Sequence, residues 1–360
     1  MINLLIKPAS GACNLKCKYC FYNDVASKRE HRSMGMMSLD TLERLARNAL
    51  FEAKYQVTFA FQGGEPTLAG LDFFKALIEF EKKYNVNNVI INNSIQTNGM
   101  IIDDEWAEFF TKNNFLVGLS LDGDKDSHEL HRGESFNRVM KTAKIFDKHN
   151  TQYNILCVVT ANTARKVDKI YNFYKRSGFK YLQFIPCLDE LFTERGAHNH
   201  SLTPKLYTRF LINLFDVWYD DFMKGEYTSI RHFDNYIHML MGKPPESCGM
   251  SGICTCYFVV EADGSVYPCD FYVLDQYKIG TIDDGFQNMR NTEVAKKFVA
   301  ESVPVPEVCK TCRVSFICRN GCKRDRLPNG LNYFCESYKE FFTHALPKMQ
   351  RVIEVIRMNS

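Results

Sequence analysis

The sequence predicts an α/β protein, in which a partial (β/α)6 TIM-like barrel is followed by a Cys-rich C-terminal domain and a closing C-terminal helix. Six apolar, β-rich runs alternate with helical patterns in the first part of the chain. Nine of the fourteen cysteines lie between residues 248 and 335. A helical pattern without cysteines then closes the chain. These three observations separate the barrel, the cysteine-rich domain and the helix.

The barrel is predicted from six runs typical of strands, with helical patterns between them. The strand-like runs span residues 3–7, 57–61, 89–96, 117–121, 154–160 and 181–185. The helical patterns span residues 38–53, 72–84, 103–110, 136–149 and 164–178. Two of them begin at the N-cap candidates Ser38 and Asp103. Because six units are too few for a complete eight-stranded barrel, a partial barrel with a parallel sheet is expected.

A polar or cysteine-bearing segment follows the end of each predicted strand. These segments span residues 13–20, 62–66, 97–99, 120–122, 160–162 and 186–188. Gly, Asn and Asp are also typical of ordinary turns. In parallel α/β sheets, however, ligands bind at the carboxyl ends of the strands. The six segments together therefore predict a binding site at that edge.

Four segments are predicted along the chain. They are a partial barrel in residues 1–199, a helical bridge in 200–245, a cysteine-rich domain in 246–337 and a C-terminal helix in 338–360. The bridge is a long helical pattern over residues 206–225. In the third segment, Asp263 and Gly264 mark the turn of a β-hairpin.

Composition excludes several classes of protein. The 360 residues are 45% hydrophobic and 24% charged, which is typical of a globular protein rather than a disordered one. A net charge of +3 gives no reason to expect nucleic acid or a membrane surface as a partner. No secretory signal or long apolar run is present, so a cytoplasmic location with reduced thiols is expected. Fourteen cysteines there favour metal binding over the alternative, a secreted disulfide scaffold.

Three cysteines, Cys13, Cys17 and Cys20, lie close together just after the first predicted strand. Thiolates are natural ligands of iron–sulfur clusters. A 4Fe–4S cluster held by three thiolates keeps one iron open to a small molecule. The alternative is a zinc site with a distant fourth ligand, such as a His. Structural zinc usually takes its ligands as two separated pairs, which favours the cluster.

The spacing Cys13-x3-Cys17-x2-Cys20, with Tyr19 before the last cysteine, resembles the signature of the radical S-adenosylmethionine (SAM) superfamily. The resemblance implies that the open iron binds the amino and carboxylate groups of SAM. Reductive cleavage of SAM then yields a 5′-deoxyadenosyl radical that removes hydrogen from a C–H bond. Residues 63–66 resemble the GGEP segment of the superfamily, which contacts the SAM amino group.

The C-terminal cysteines resemble the SPASM extension, which carries auxiliary 4Fe–4S clusters in radical SAM enzymes that modify peptides and proteins. The resemblance implies two auxiliary clusters, and so three clusters in all. One would take Cys248, Cys254, Cys269 and Cys322, and the other Cys309, Cys312, Cys318 and Cys335. Full ligation of both favours electron transfer over substrate binding. Cys256 remains an alternative to Cys254, Cys157 is interpreted as a core residue, and Cys187 has no assigned role.

Segments along nearly the whole chain are similar to the anaerobic sulfatase-maturating enzymes. They include residues 6–22, 59–70, 115–123, 154–165 and 269–275. The resemblance implies an oxidoreductase that converts a Cys or Ser to Cα-formylglycine. The target lies in a Cys/Ser-x-Pro/Ala-x-Arg segment of an unfolded or nascent sulfatase. An external electron donor, such as flavodoxin or ferredoxin, is implied as a second partner.

The same resemblance assigns roles to individual residues. Those expected to contact SAM are Tyr19, Gly64, Ser120, Arg132 and Leu188. Tyr22 and Gln62 are expected to face the substrate peptide. Asp270 matches the proposed general base of the family, which would deprotonate the substrate thiol or hydroxyl before an electron passes to an auxiliary cluster. Asp275 is a rival that the residues alone do not exclude, although the motif favours Asp270.

Two other functions are compatible with parts of the sequence. One is a SPASM enzyme that cross-links or epimerises another ribosomal peptide. Such enzymes often carry an N-terminal leader-binding domain, for which a cluster motif at residue 13 leaves no room. The other is a non-catalytic iron–sulfur electron carrier, which does not need the SAM-binding segments. Sulfatase maturation is the function that uses all of these motifs.

Overall fold

The structure of the protein is a computed structural model that describes residues 1–358. The chain forms two compact units, each assembled from separate stretches of sequence. The first unit contains residues 1–121, 129–154 and 256–298. The second contains residues 122–128, 155–255 and the chain from 299 onward.

The strands and α-helices have the following bounds. In chain order the strands are β1 (Ile2–Ile6), β2 (Gln56–Phe61), β3 (Ile90–Thr97), β4 (Leu116–Ser120), β5 (Tyr153–Val159), β6 (Tyr181–Pro186), β7 (Ser229–Ile230), β8 (Phe258–Val260), β9 (Ser265–Tyr267) and β10 (Gly280–Thr281). The α-helices are α1 (Phe21–Ser27), α2 (Leu39–Glu52), α3 (Leu71–Tyr84), α4 (Asp104–Lys112), α5 (Lys125–Arg132), α6 (Phe136–His149), α7 (Ala161–Arg165), α8 (Val167–Arg176), α9 (Pro204–Met223), α10 (Arg231–Leu240), α11 (Phe286–Arg290), α12 (Glu293–Ala300), α13 (Glu307–Lys310), α14 (Ser315–Cys318) and α15 (Cys335–Met358).

Strands of the first unit follow the order β10-β9-β8-β1-β2-β3-β4. The strands from β8 to β4 in that order are parallel, whereas β9 and β10 continue the sheet in antiparallel fashion. Alternate residues of β1 and β2 are buried, so both strands contribute one face to the core. The carboxyl ends of β8, β1, β2, β3 and β4 therefore lie at one edge of the sheet.

In the second unit, β5 is parallel to β6 and β6 to β7. The long helices α9 and α15 pack together beside these strands. The ring centroids of Tyr207 and Phe334 are 4.7 Å apart at one end of this contact. The Ser337 hydroxyl also donates a hydrogen bond to the carbonyl of Pro204 at 2.7 Å. Phe215 and Phe341 extend the aromatic contact, with their centroids 5.7 Å apart.

The predicted α/β class is confirmed, and all six predicted strands occur within one residue of their predicted ends. The side chains of Ser38 and Asp103 cap α2 and α4 as predicted. The Asp263-Gly264 turn joins β8 to β9, and Gly264 has a φ of +85°, which glycine adopts without strain. The predicted helix over 164–178 covers the end of α7 and all of α8, which are separated by the non-helical backbone of Lys166, with φ of −117° and ψ of 21°. The closing helix begins at Cys335, three residues before its predicted start.

Within residues 1–358, no helix is both long enough and apolar enough to cross a membrane.

A buried carboxyl group on α3 makes the stability of the first unit depend on pH. Glu81 is 6% exposed, and its Oε2 accepts a hydrogen bond from Nδ2 of Asn93 on β3 at 3.1 Å. Within residues 1–358, Glu81 Oε1 and Asn93 Oδ1 have no hydrogen-bond partner. Burial raises the pKa of Glu81 from 4.5 to about 7. Because the folded pKa lies above the unfolded value, folding becomes less favourable as pH rises from about 4.5 to 7.

We expect Glu81→Gln to stabilise the protein in alkaline but not in acidic solution. The advantage of the variant in free energy of unfolding should grow by about 2 kcal/mol between pH 5.5 and pH 8. Anaerobic thermal unfolding at the two pH values measures this difference. Glu79→Gln is the matched control, because Glu79 lies on the same helix and is 70% exposed. A constant gap between Glu81→Gln and the wild type at both pH values would contradict the prediction.

Candidate functional site

The first cysteine loop lies between β1 and α1, and Cys20 is the N-cap residue of α1. Several groups of the first unit are directed at its sulfur atoms. Cys13 Sγ accepts from the backbone N–H of Leu15 at 3.4 Å and from Nδ2 of Asn98 at 3.7 Å. Nη1 of Arg132 lies 3.9 Å from Cys17 Sγ. Donors of this kind stabilise thiolates, so the loop suits a soft, thiolate-bound metal group.

The loop after β2 lies directly against the cysteine loop. The backbone N–H of Glu65 donates to the carbonyl of Ala12 at 2.8 Å. Gly64 has a φ of +52°, and a Cβ atom there would lie 2.2 Å from the Ala12 oxygen. Gly63 has a φ of +89°, and its Cβ atom would lie 2.5 Å from Cε of Lys7. Both glycines are therefore required by close backbone approach as well as by conformation.

The Glu65 side chain ties this loop to the end of β3. Its carboxylate accepts from the backbone N–H and hydroxyl of Thr67, at 3.1 and 2.6 Å. It also accepts from the Thr97 hydroxyl at 2.8 Å and from the Asn98 N–H at 2.7 Å. Burial raises the pKa of Glu65, and these donors act against that rise. Four donors on one buried carboxylate hold the carboxyl ends of β2 and β3 in fixed register.

Four of the five residues predicted to contact SAM lie in the first unit. The Arg132 guanidinium lies 5.5 Å from the centroid of the Tyr19 ring, and the His131 ring is 5.5 Å from the same ring. Arg132 thus connects Tyr19 with Cys17. Gly64 lies against Ala12, and the half-buried Ser120 ends β4. Leu188 belongs to the second unit, where it follows β6 and is half-buried.

Asp270, Tyr22 and Gln62 form one hydrogen-bonded group in the first unit. Oδ2 of Asp270 accepts from the Tyr22 hydroxyl at 2.7 Å and from Nε2 of Gln62 at 3.0 Å. Asp270 is 9% exposed, and its Oδ1 has no hydrogen-bond partner within residues 1–358. Burial raises the pKa of Asp270, whereas the charge of Lys7 and the two donors act to lower it. Oδ2 is held by two donors, whereas Oδ1 is buried without a hydrogen bond from the described residues and lies 4.0 Å from Nζ of Lys7.

Asp275 has a different environment. It is exposed, and its Oδ2 accepts a hydrogen bond from the backbone N–H of Glu30 at 2.9 Å. Its carboxylate therefore stabilises a surface loop. Of the two candidate bases, Asp270 is the one that contacts the residues predicted to face the peptide.

Four cysteines of the second unit line one cavity of about 470 Å³. They are Cys309, Cys312, Cys318 and Cys335. Burial raises the pKa of the Cys318 thiol to about 11, and the other three cysteines add a smaller electrostatic contribution in the same direction. A bound metal would reverse this effect, because coordination removes the thiol proton. Four is the number of thiolates that ligate one 4Fe–4S cluster completely.

Three cysteines of the second predicted set also belong to the second unit. Cys322 is half-buried, and burial of its thiol raises the pKa; the charge of Asp325 and smaller contributions from Cys248 and Cys254 raise it further. Cys269 lies in the first unit, beside Asp270, where its charge contributes to the raised pKa of Tyr22. Cys256 belongs to the first unit, and its Sγ lies 3.7 Å from the Tyr257 carbonyl.

Cys157 is 1% exposed, as expected for a core residue, and Cys187, which had no assigned role, is 2% exposed. Among residues 1–358, no three His, Cys, Asp or Glu side chains converge closely enough to share a single metal ion. A four-iron cluster binds each thiolate through a different iron, so its ligands surround a larger volume than those of one ion.

Sequence reasoning missed three charged residues beneath this site: Lys7, Arg29 and Glu261. All three are buried in the first unit, and Glu261 forms ion pairs with both cations. One signal was available for Lys7. It directly follows the apolar strand β1, where a charged side chain is rarely buried without a partner. Nothing in the sequence indicated that Glu261, more than 250 residues later, supplies that partner.

Two segments of the chain match known domain families. Residues 8–174 match the Radical SAM superfamily, and residues 252–313 match an iron–sulfur cluster-binding domain called SPASM. The chain is 49% identical to the cysteine-type anaerobic sulfatase-maturating enzyme of Clostridium novyi (strain NT), covering 99% of this chain and 98% of that protein. It is 32% identical to the serine-type anaerobic sulfatase-maturating enzyme of Bacteroides thetaiotaomicron, covering 96% and 90%.

A solved structure is also similar over almost the whole chain. It is described as native anSMEcpe with bound AdoMet and Cp18Cys peptide. It superposes with a TM-score of 0.94 at 50% sequence identity and covers 99% of each chain.

Proposed function

The chain belongs to the anaerobic sulfatase-maturating enzymes, a family of the radical SAM superfamily, and we propose that Asp270 is the catalytic base of its reaction. The protein is an oxidoreductase that converts a cysteine of a sulfatase to Cα-formylglycine. Among the relatives compared above, the cysteine-type one has the higher identity, 49% against 32%, which supports cysteine as the substrate residue. The observation that supports the base is a buried carboxylate whose Oδ2 accepts two hydrogen bonds and whose Oδ1 accepts none from the described part of the chain.

The thiol sets suit the groups that this family requires. When bound, SAM supplies a 5′-deoxyadenosyl radical that removes a β-hydrogen, and the 4Fe–4S clusters supply an acceptor for the electron that the substrate gives up. We propose three clusters. The first is held by Cys13, Cys17 and Cys20, the second by Cys248, Cys254, Cys269 and Cys322, and the third by Cys309, Cys312, Cys318 and Cys335. The four-thiol cavity of the second unit supports the third set.

The substrate thiol loses a proton in this reaction, and the residues around Asp270 explain where that proton goes. After Cβ of the substrate cysteine has lost a hydrogen atom, loss of the thiol proton and of one electron gives a C=S double bond. Asp270 takes that proton on Oδ1. Tyr22 and Gln62 keep Oδ2 occupied, which leaves Oδ1 as the oxygen without a hydrogen bond among residues 1–358. Water then replaces sulfur, which leaves as hydrogen sulfide, and the aldehyde remains.

Further residues are proposed to orient the two ligands. Tyr19, Gly64, Ser120, Arg132 and Leu188 would contact SAM. Arg132 suits the SAM carboxylate because guanidinium groups bind carboxylates through paired hydrogen bonds. Its position over the Tyr19 ring supports this role. Tyr22 and Gln62 would face the peptide from the same side as Asp270.

The remaining proposals concern organisation and partners. We propose the four segments 1–199, 200–245, 246–337 and 338–360 as barrel, bridge, auxiliary-cluster domain and closing helix. The substrate is an unfolded or nascent sulfatase that carries a Cys-x-Pro/Ala-x-Arg segment. The electron donor is a small redox protein such as a flavodoxin or ferredoxin, and the proposed location is the cytoplasm.

A peptide assay tests the function directly. Anaerobically reconstituted enzyme is mixed with dithionite, SAM and a Cys-x-Pro-x-Arg peptide, and the products are weighed by mass spectrometry. We expect a loss of about 18 Da from the peptide, together with 5′-deoxyadenosine. A peptide with Ala at the Cys position is the control and should keep its mass. Formation of 5′-deoxyadenosine without the change of mass would instead favour another peptide modification.

A further inference from the structure

A buried chain of charges lies beneath Asp270. Lys7, at the end of β1, and Glu261, at the end of β8, are 3% and 0% exposed. Their strands are neighbours, and the backbone N–H of Lys7 donates to the Val260 carbonyl at 2.9 Å. Nζ of Lys7 lies 3.5 Å from Glu261 Oε1, and Nη1 of Arg29 lies 2.5 Å from the same oxygen. Burial acts against ionisation, but the charges of Lys7 and Arg29 hold the pKa of Glu261 below its ordinary value.

Lys7 also faces the proposed catalytic group. Its Nζ lies 4.0 Å from Asp270 Oδ1 and 4.8 Å from the centroid of the Tyr22 ring. An ammonium group over an aromatic face is attracted to it, more strongly where water is excluded. Lys7 therefore contacts the ring that donates to Oδ2 and faces the opposite oxygen, Oδ1.

The neighbouring loop leaves space for this side chain. The stem of Lys7 runs beneath Gly63, where a Cβ atom would lie 2.5 Å from Cε and 2.9 Å from Cγ. A glycine at position 63 thus serves Lys7 as well as the turn. The fixed stem and the Glu261 ion pair together restrict the ammonium group to one position.

Resting on the proposed function, we propose that Lys7 is a positioning residue for the deprotonation step. Anchored by Glu261, its ammonium group holds the Tyr22 ring and the Asp270 carboxylate so that Oδ1 stays directed at the substrate thiol. In this role Lys7 neither gives nor takes the proton. It acts through Asp270 and Tyr22, and its loss should lower aldehyde formation without lowering SAM cleavage.

The experiment must distinguish a positioning role of Lys7 from a role in the stability of the fold alone. Replacing Lys7 alone removes one of the two cations that neutralise Glu261, which can by itself destabilise the fold. The double variant Lys7→Met/Glu261→Gln removes one positive and one negative charge, so the buried net charge is unchanged. Lys7→Gln is the second variant, because it keeps a donor for Glu261 but carries no charge.

The second unit contains a matched control. Lys175 forms an ion pair with Asp221, its Nζ lies 5.6 Å from the Tyr171 ring centroid, and the Tyr171 hydroxyl donates to Asp221 at 3.1 Å. This Lys–Tyr–Asp arrangement has the same components as Lys7, Tyr22 and Asp270. Within residues 1–358, its ion-pair partners are Asp221 and Glu226, neither of which is a proposed catalytic or cluster residue. We therefore expect Lys175→Met to form as much formylglycine per 5′-deoxyadenosine as the wild type.

The experiment measures 5′-deoxyadenosine and formylglycine in the same reactions, along with iron content and the kcat and KM for the peptide. In the double variant and in Lys7→Gln we expect iron content and SAM cleavage within about threefold of the wild type. Formylglycine per 5′-deoxyadenosine should fall about tenfold or more, because small misplacements of catalytic groups cost that much. The loss should appear in kcat, with KM within about threefold.

Each contrary outcome has a defined meaning. If either Lys7 variant forms as much formylglycine per 5′-deoxyadenosine as the wild type, the proposal is overturned while the proposed function stands. Loss of iron from both variants would assign Lys7 to the stability of the fold and would also overturn it. If wild-type enzyme cleaves SAM but forms no formylglycine, the proposed function fails, and the role of Lys7 fails with it.

Discussion

Asp270→Asn is expected to cleave SAM at nearly the wild-type rate and to form at least about 100-fold less formylglycine. The amide can still accept hydrogen bonds from Tyr22 and Gln62 through one oxygen, so the local packing survives. It cannot take the thiol proton. Parallel assays of 5′-deoxyadenosine and of peptide mass separate the two events.

Asp275→Asn is the matched control for this change. Asp275 lies five residues further along the chain, is exposed and accepts a hydrogen bond from a loop N–H. The amide oxygen of Asn can accept the same bond, so activity within about twofold of the wild type is expected, as for most surface substitutions. Full activity in Asp270→Asn, or a comparable loss in Asp275→Asn, would remove Asp270 as the base.

Cys254→Ala is expected to lower bound iron from about twelve to about eight atoms per chain, because one four-iron cluster is lost. The charge of Cys254 contributes to the raised pKa of Cys248, and both cysteines contribute to that of Cys322, as expected for thiols that lie close together. Formylglycine formation should fall with the iron, whereas the cluster of the first loop is retained and still supports SAM cleavage. Iron analysis and Mössbauer spectroscopy of anaerobically reconstituted protein measure the change.

Cys256→Ala provides the control two residues away. The Cys256 sulfur lies near the carbonyl of the next residue, and Arg290 supplies the nearby charge. This variant should retain about twelve irons. If Cys256→Ala loses iron and Cys254→Ala does not, the second cluster must be assigned to Cys256.

The sequence was most informative where local pattern decides structure. Six strands could be placed within one residue, because buried parallel strands form apolar runs with turn residues behind them. Since such strands end at one edge, the grouping of the cysteine loop with residues 62–66 and 97–99 could also be predicted. In the structure, Glu65 joins two of these segments through the hydrogen bonds that it accepts from Thr97 and Asn98.

Contacts between residues that are far apart in the sequence could not be predicted from local patterns. The choice between Asp270 and Asp275 depends on which of them lies beside Tyr22 and Gln62, and those residues are more than 200 positions away. Short-range periodicity carries no information about such contacts. The arrangement of the cysteines at 309, 312, 318 and 335 around one cavity likewise depends on the folded loops and not on spacing alone.

The place of β8 beside β1 has a consequence for the order in which the chain is synthesised. β1 is made long before β8, so the edge of β1 that pairs with β8 stays unpaired until β8 leaves the ribosome. Until then Lys7 and Arg29 also lack Glu261, and burying two uncompensated cations is strongly unfavourable. The N-terminal strands therefore cannot complete their packing during early elongation. The proposed base and the side chains that hold it come together only after residue 270 has been translated.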